Sequence, residues 1–391
     1  MSLDAQLLGR VRRRLTEEST PATHVAVVDA VRDESGGAPL GTTTLWRVGG
    51  QLFDEMAGAG PLRALLADPA VTDVVVNGPN DVWVDRGAGM VRAGVAFPDA
   101  QSLRRFAQRL AASSERRLDD ASPYVDAHLP DGTRLHAVLA PIAVGGPYLS
   151  LRTFRQRAFT IADLVAAGTL TVDAAHLVTA IVRARLSYLV SGGTGSGKTT
   201  LLATLLGLVP VTERIVMVED ASELRPEHPH VVALQSRLSN VEGSGAVSLR
   251  DLVRQALRMH PDRLVVGECR GAEVVEMLSA LNTGHEGSAG TVHANRAVDV
   301  PARLEALGLL GGLSREALHA QAAAGLQVVL HLRRAGGGRY LDEVCVILAA
   351  GSGIQAVPAW RRASGPGPAA TALAQLIAAA GVAPPTVLSA P

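Results

Sequence analysis

Beyond residue 59, short apolar runs broken by turn residues give way to longer apolar periods. In TDVVVNGPNDVWVDRGAGMVRAGVAF three strand-like runs are separated by Asn-Gly-Pro-Asn and Arg-Gly-Ala-Gly turns. PDAQSLRRFAQRLAASSERRL then places Leu103, Phe106, Ala107 and Leu110 on one face, the spacing of a helix. Further short strands follow in DAHLPDGTRLHAVLAPIA, with Asp-Gly at a hairpin position, and in PYLSLRTF. These elements predict a small α/β domain over residues 59–154. Residues 1–58, with a helical start (Leu7, Leu8, Val11, Leu15) and the loop-like DESGGAPLGTTT, predict an accessory helical extension.

From residue 166 the texture becomes an alternation of strands and helices. DAAHLVTAIVRARL reads as an amphipathic helix; LSYLV, RIVMVED, HVVALQ and RLVVGEC read as strands separated by helical stretches. That order predicts a parallel sheet with helices on both faces over residues 166–350. Residues 155–165 read as a linker and candidate hinge. Residues 351–391, rich in Ala, Gly and Pro, read as a mostly disordered tail with one Ala-rich helix.

Chemistry enters at LVSGGTGSGKTTLL. Gly192, Gly197, Lys198 and Thr199 fit G-x-x-x-x-G-K-[ST] between an apolar strand and an apolar helix. Glycines let the backbone turn its N–H groups toward the α- and β-phosphates, so the cradle runs through Gly193, Thr194, Gly195, Ser196, Gly197, Lys198, Thr199 and Thr200. Lys198 is the point charge for the β/γ oxygens, Thr199 the hydroxyl for Mg²⁺, and the helix that follows turns its positive end to the anion. A dinucleotide fingerprint is excluded because Lys198 stands where its last glycine would fall. The ligand expected is ATP with Mg²⁺.

Hydrolysis also needs an oriented water. Glu219 with Asp220 closes RIVMVED, and Glu268 closes RLVVGE; strand ends of a parallel sheet face the ligand crevice, so either glutamate positions water or holds Mg²⁺ through one. Asp220 reads equally well as a helix cap. His285 and His293, in LNTGHEGSAGTVHAN, read as hydrogen-bonding groups near phosphate or as structural histidines; they lack a third partner at zinc spacing. Arg250, Arg254 and Arg258 fall on one helical face, a stripe that reads as a paired surface, a subunit interface or a phosphate contact.

Composition narrows the choice. Lys+Arg and Asp+Glu both total 37, and aromatics are 3% of residues, so neither a basic coat nor a stacking series for nucleic acid is present. The two cysteines, Cys269 and Cys345, read as buried thiols of a reducing compartment. No run of about 18 apolar residues occurs and the N-terminus lacks an export signal, which gives a cytoplasmic reading with docking at the inner face of the cell membrane.

Four blocks in order, GGTGSGKTT, VEDASEL, ALRMHPDRLVVGECRGAE and NTGHEGSAGTVHAN, resemble the Walker A, Asp-box, Walker B and His-box of the type II/type IV secretion ATPase superfamily. Upstream, LLADPAVTDVVVNGPNDVWVDR, DDASPYVDAHLPDGTRLHAVLAPI and GPYLSLRTF resemble the tight-adherence (Flp) pilus assembly branch, often called CpaF-like. The resemblance implies a RecA-like P-loop core joined to a smaller N-terminal α/β domain, a homo-hexameric ring, and an inner-membrane platform protein of a pilus or secretion machine as partner. It implies that Glu268 activates water, that Glu219 assists, that His293 couples the γ-phosphate to movement, and that Arg134, Arg152 or Arg155 reaches across to a neighbouring nucleotide. The Walker B block ends Val-Gly-Glu without an Asp, His260 stands where relatives usually carry arginine, and a tetracysteine zinc module is absent. A RecA-like DNA translocase is the alternative reading, carried by the arginine stripe. A nucleotide-assembled scaffold without turnover is a third.

Overall fold

The computed structural model describes residues 10–11, 13–14, 24–34, 49, 60–87, 89–153, 158–237, 245–336, 338–351 and 353–389. The chain divides into two compact units, Met1–Arg155 and Gln156–Pro391.

The first unit is built on β1 (Asp73–Val76), β2 (Val82–Asp85), β3 (Met90–Arg92), β4 (Tyr124–His128), β5 (Arg134–Val138) and β6 (Tyr148–Arg152). They form an antiparallel sheet in the order β3-β2-β1-β6-β5-β4. In β6 the period of two puts Leu149 and Leu151 inside, while Tyr148, Ser150 and Arg152 stay on the exposed face. The helix Ala100–Ala112 starts where the Asp99 carboxylate accepts the Ser102 N–H, and its buried Leu103, Phe106, Ala107 and Leu110 join the core under the sheet. Each such buried leucine or phenylalanine contributes about 1.5–3 kcal/mol of transfer free energy. In the extension, the helix His24–Glu34 is described, with Val27, Val28 and Val31 buried.

The second unit holds β7 (Tyr188–Gly192), β8 (Ile215–Glu219), β9 (Val231–Gln235), β10 (Arg263–Cys269), β11 (Ala289–His293), β12 (Val328–Ala335), β13 (Gly338–Ala350), β14 (Gly353–Arg361) and β15 (Gly365–Pro366). Their order is β15-β14-β13-β12-β7-β11-β10-β8-β9. From β12 to β9 all pairs are parallel, as the alternation predicts; β12 to β15 add an antiparallel flank. Both faces are covered, which explains the unbroken apolar runs. Ile215 and Met217 of β8 enter one core, with the helices Val172–Arg183, Lys198–Leu206 and Ala370–Ala379; Val216 and Val218 enter the other, with Leu249–Ala256, Glu273–Leu281 and Val300–Leu310.

Two expectations are corrected. The stretch 351–391 is not mostly disordered: β14 pairs with β13 from Gly353 to Arg361, and Trp360, Leu373 and Ile377 are buried in the same core as β7. Composition masked the pattern, because GIQAVPAWR alternates its apolar residues as a strand does, and the proline sits beside an irregularity in the β13–β14 pairing. The core therefore extends well past residue 350. At the other boundary, the proposed linker 155–165 runs into the helix Ile161–Ala166, which has a Thr160–Asp163 capping box and a buried Leu164. Residues 155–157 lie outside the described residues. Among the described residues no helix is long and apolar enough to cross a membrane.

Candidate functional site

Two parallel strands, β7 and β11, end together, and β12 runs past them. Gly192, the last residue of β7, stands opposite His293 of β11 on one side and Leu332 of β12 on the other. The next five residues form the glycine loop, and the helix Lys198–Leu206 begins directly after it. Gly192, Gly195 and Gly197 have φ of 153°, 69° and 96°, and a β-carbon at Gly192 would lie 2.6 Å from the Leu332 carbonyl oxygen. Glycine is required there by both backbone and space. Ser196, inside the loop, is 2% exposed, and its Oγ has no hydrogen-bond partner.

Lys198 is buried, and its Nζ donates to the carbonyl oxygens of Gly192 at 3.1 Å and Gly193 at 3.0 Å. The same ammonium lies 3.3 Å from His293 Nδ1. Burial lowers the lysine's affinity for its proton, the Glu268 charge opposes that, and Arg270 adds to it. The ammonium is also 3.5 Å from His293 Nε2, and that nitrogen stands 2.5 Å from Glu268 Oε1 without the alignment of a hydrogen bond. Glu268 Oε2 is bound by Arg270 at 2.6 Å. Burial, then the positive charge of Lys198, holds the His293 pKa below its ordinary value despite Glu268. Lys198, His293, Glu268 and Arg270 thus make one chain of contacts from the loop to the end of β10.

Glu219, at the end of β8, is set differently. It is 4% exposed, its Oε1 accepts the N–H of Glu223 at 3.1 Å and of Leu224 at 2.9 Å, and its Oε2 is buried without a partner. Burial pushes its pKa up to about 7, the two N–H bonds pulling the other way. Gly267 is what admits it, since a β-carbon there would come within 2.6 Å of Glu219 Cγ. The Gly267 carbonyl in turn accepts from Thr291 Oγ1 at 2.7 Å.

The remaining candidates separate. Thr199 and Thr200 sit in the first turn of the loop helix, half-buried. Asp220 accepts from Ser236 Oγ at 3.0 Å, a link toward β9 and not a helix cap. His285 Nδ1 lies 3.3 Å from the Ala280 carbonyl, and its own carbonyl accepts from Ser288, a structural arrangement. Arg250 and Arg254 both bond Glu276 Oε1, at 2.6 and 2.8 Å, so one of the three positive charges of the basic stripe is offset within the unit. Arg134 and Arg152 are register partners on β5 and β6 of the first unit, and Arg152 Nε is 3.0 Å from Asp73. Arg155 lies outside the described residues. Both cysteines are buried and free.

Sequence reading missed three arginines here. Arg270 follows Glu268 by two residues in a strand-end segment, and that spacing was the available signal. Arg334 and Arg339 flank the turn between β12 and β13, and only the β7–β12 pairing brings them to the loop. The donor set suits Mg²⁺: one hydroxyl at the helix start with carboxylates set back leaves places for water and phosphate oxygens. Among the described residues no group of three His, Cys, Asp or Glu side chains forms a protein-only metal site.

A glycine cradle and lysine at the carboxyl end of a doubly covered parallel sheet define an α/β nucleotide-binding protein of the P-loop class. The chain belongs to the family described as "Type II/IV secretion system protein", which it matches over residues 55–337. It is 55% identical over 333 residues to a putative conjugal transfer protein of Mycobacterium tuberculosis, covering 83% of this chain and 95% of that one. It is 30% identical over 287 residues to the conjugal transfer protein TrbB of Rhizobium radiobacter, 72% of this chain and 85% of TrbB. The solved structure of the Legionella pneumophila ATPase DotB aligns with a TM-score of 0.53 at 19% identity, over 72% of this chain and 78% of that one, a likeness of fold.

Proposed function

We propose that this chain is an ATP-hydrolysing motor that powers pilus assembly or a type II/IV-like secretion or transfer machine. The observation that carries the reading is the contact chain from the loop lysine through His293 to Glu268. It joins a phosphate-binding charge to a carboxylate suited to holding water, which a purely scaffolding loop does not need.

In this reading the amides from Gly193 to Thr200 hold the α- and β-phosphates. Lys198 exchanges the carbonyls of Gly192 and Gly193 for β/γ oxygens. Thr199, with water, would hold Mg²⁺, which when bound would supply neutralisation of phosphate charge. Glu268 orients a water in line with the γ-phosphorus and takes its proton as the new P–O bond forms and the bond to the β–γ bridging oxygen breaks. ADP and inorganic phosphate are the products. His293, kept largely neutral, lies between Lys198 and Glu268 and registers whether the γ-phosphate is present. Glu219 assists with its unpartnered Oε2 as a further water ligand.

Arg134, Arg152 or Arg155 is proposed to complete the site of a neighbouring subunit in a hexamer, a contribution of about 10³ to 10⁵ in rate for such an arginine. The exposed Arg152–Asp73 pair is no obstacle, since such pairs are worth about 0–1 kcal/mol. Movement of the first unit on the second would drive an inner-membrane platform protein, the enzyme being cytoplasmic and peripheral. The tight-adherence pilus is the proposed setting, with conjugal transfer, for which the M. tuberculosis and R. radiobacter relatives are named, the neighbouring output. The DNA-translocase alternative keeps a weaker footing, because Glu276 offsets one of the three charges of its arginine stripe.

The test is ATP turnover measured with particle mass across protein concentration. Turnover should rise with formation of six-subunit particles and be insensitive to DNA. Activity that is complete in the monomer would sink the arginine exchange, and absence of turnover with and without membrane partners would sink the motor.

A further inference from the structure

The β12–β13 hairpin overhangs the phosphate loop. Leu332 stands opposite Gly192, so Arg333, Arg334 and Ala335 continue beyond the end of β7 in the direction the loop takes. β13 returns with Arg339 opposite Arg334. Arg333 is held by Asp342 at 3.4 Å. Arg334 and Arg339 are exposed and have no ion-pair or hydrogen-bond partner among the described residues. Arg334 Nη1 lies 3.3 Å from the place a β-carbon on Gly195 would take, and Arg339 Cδ lies 3.6 Å from the corresponding place on Gly197. Between these glycines sits Ser196, 2% exposed, with its unpartnered Oγ. Two cations without counter-charge and a buried hydroxyl without a partner therefore converge on one loop.

Their side of the loop fixes what they meet. β12 flanks β7 on the side opposite β11, the strand that carries His293. The hairpin arginines thus approach away from Glu268 and His293, where the cleaved phosphate lies in the proposed reaction.

We propose that Arg334 and Arg339 form a clamp, within the same chain, on the α/β-phosphate end of the nucleotide. The proposal rests on the nucleotide reading above and adds a division of labour: the hairpin sets affinity for triphosphate and diphosphate alike, while Lys198, Glu268 and His293 act on the γ-phosphate. Arginine suits such a post, being permanently charged and able to offer two parallel N–H donors to phosphate oxygens. Because both side chains are solvent-exposed, the clamp is sensitive to ionic strength.

The experiment is calorimetric titration of the full chain with ADP and with the non-hydrolysable β,γ-imido analogue of ATP. It compares wild type with Arg334→Gln, Arg339→Gln, the double variant and the matching lysine variants. Each glutamine should weaken both ligands by the same factor, about tenfold. The double variant should flatten the salt dependence, and lysine should restore part of the affinity. Wild-type affinity in the double variant, or a loss confined to the triphosphate analogue, overturns the clamp. A wild-type protein that binds neither ligand overturns the nucleotide reading itself, an outcome distinct from both.

Discussion

The ends of β8 and β10 each present a glutamate to the same crevice, and the two are held in opposite ways. Glu268 is partly exposed and bracketed by Arg270 and His293. Glu219 is buried, gripped through one oxygen by two backbone N–H groups, and left with the other oxygen bare. Two carboxylates at neighbouring strand ends thus differ in what they offer: from β10 one held by side chains, and from β8 a buried one balanced between acid and base near pH 7. Environment, more than residue type, divides their work.

The largest expected effect comes from breaking the β10 end. Glu268→Gln should lower ATP turnover by about 10² to 10⁴ while leaving nucleotide affinity and melting temperature near wild type. A variant that turns over normally would transfer the water-orienting role elsewhere. Next, Gly267→Ala should destabilise the second unit by about 1–3 kcal/mol, because the added methyl meets Glu219 Cγ at 2.6 Å. Chemical denaturation measures this, and an unchanged midpoint would mean that the β8 carboxylate moves aside freely.

A smaller and pH-dependent effect is expected at Glu219. Its pKa is raised from 4.5 to about 7, so the folded chain binds that proton more tightly than the unfolded one. The resulting stabilisation is full below about 4.5 and is lost as pH rises through about 7. Glu219→Gln keeps a neutral side chain of the same shape, so its unfolding free energy should exceed wild type at pH 8 by an amount on the order of 1 kcal/mol and converge with it as pH falls to about 4.5. Equal pH slopes for the two proteins would contradict the burial argument. Smallest of all, Arg270→Ala should reduce turnover several-fold, since Glu268 Oε2 would lose the guanidinium that holds it in place. Unchanged turnover would leave that ion pair without catalytic consequence.

What the sequence disclosed followed from how local each signal is. The glycine loop is a contiguous pattern with a fixed strand before it and a fixed helix after it, so Gly192 through Thr200 could be read directly. The parallel strands were legible because burial on both faces makes them uniformly apolar. Glu219 and Glu268 were marked by standing at strand ends, but their contrast was not, because it depends on Gly267 and on the N–H groups of Glu223 and Leu224. Contacts between distant residues stayed hidden: Ser191 and His331, 140 positions apart, hydrogen-bond at 2.9 Å only because β12 pairs with β7. The same pairing carries Arg334 and Arg339 to the loop. Glu276, which absorbs two arginines of the basic stripe, lies on another helix and left no trace in the helical spacing that suggested the stripe. The strand at Gly353–Arg361 was hidden by its Gly and Pro neighbours, whose abundance outweighed a short alternating pattern.

That strand and the helix Ala370–Ala379 pack against the layer containing the phosphate-loop helix, yet they follow it by more than a hundred positions in order of synthesis. During translation the loop is therefore made long before this core can close, and the nascent chain passes through an interval in which Val344 lacks its partner Trp360. A ribosome paused shortly after Ala350 should display an incomplete domain that is open to chaperones and proteases until Leu373 and Ile377 emerge.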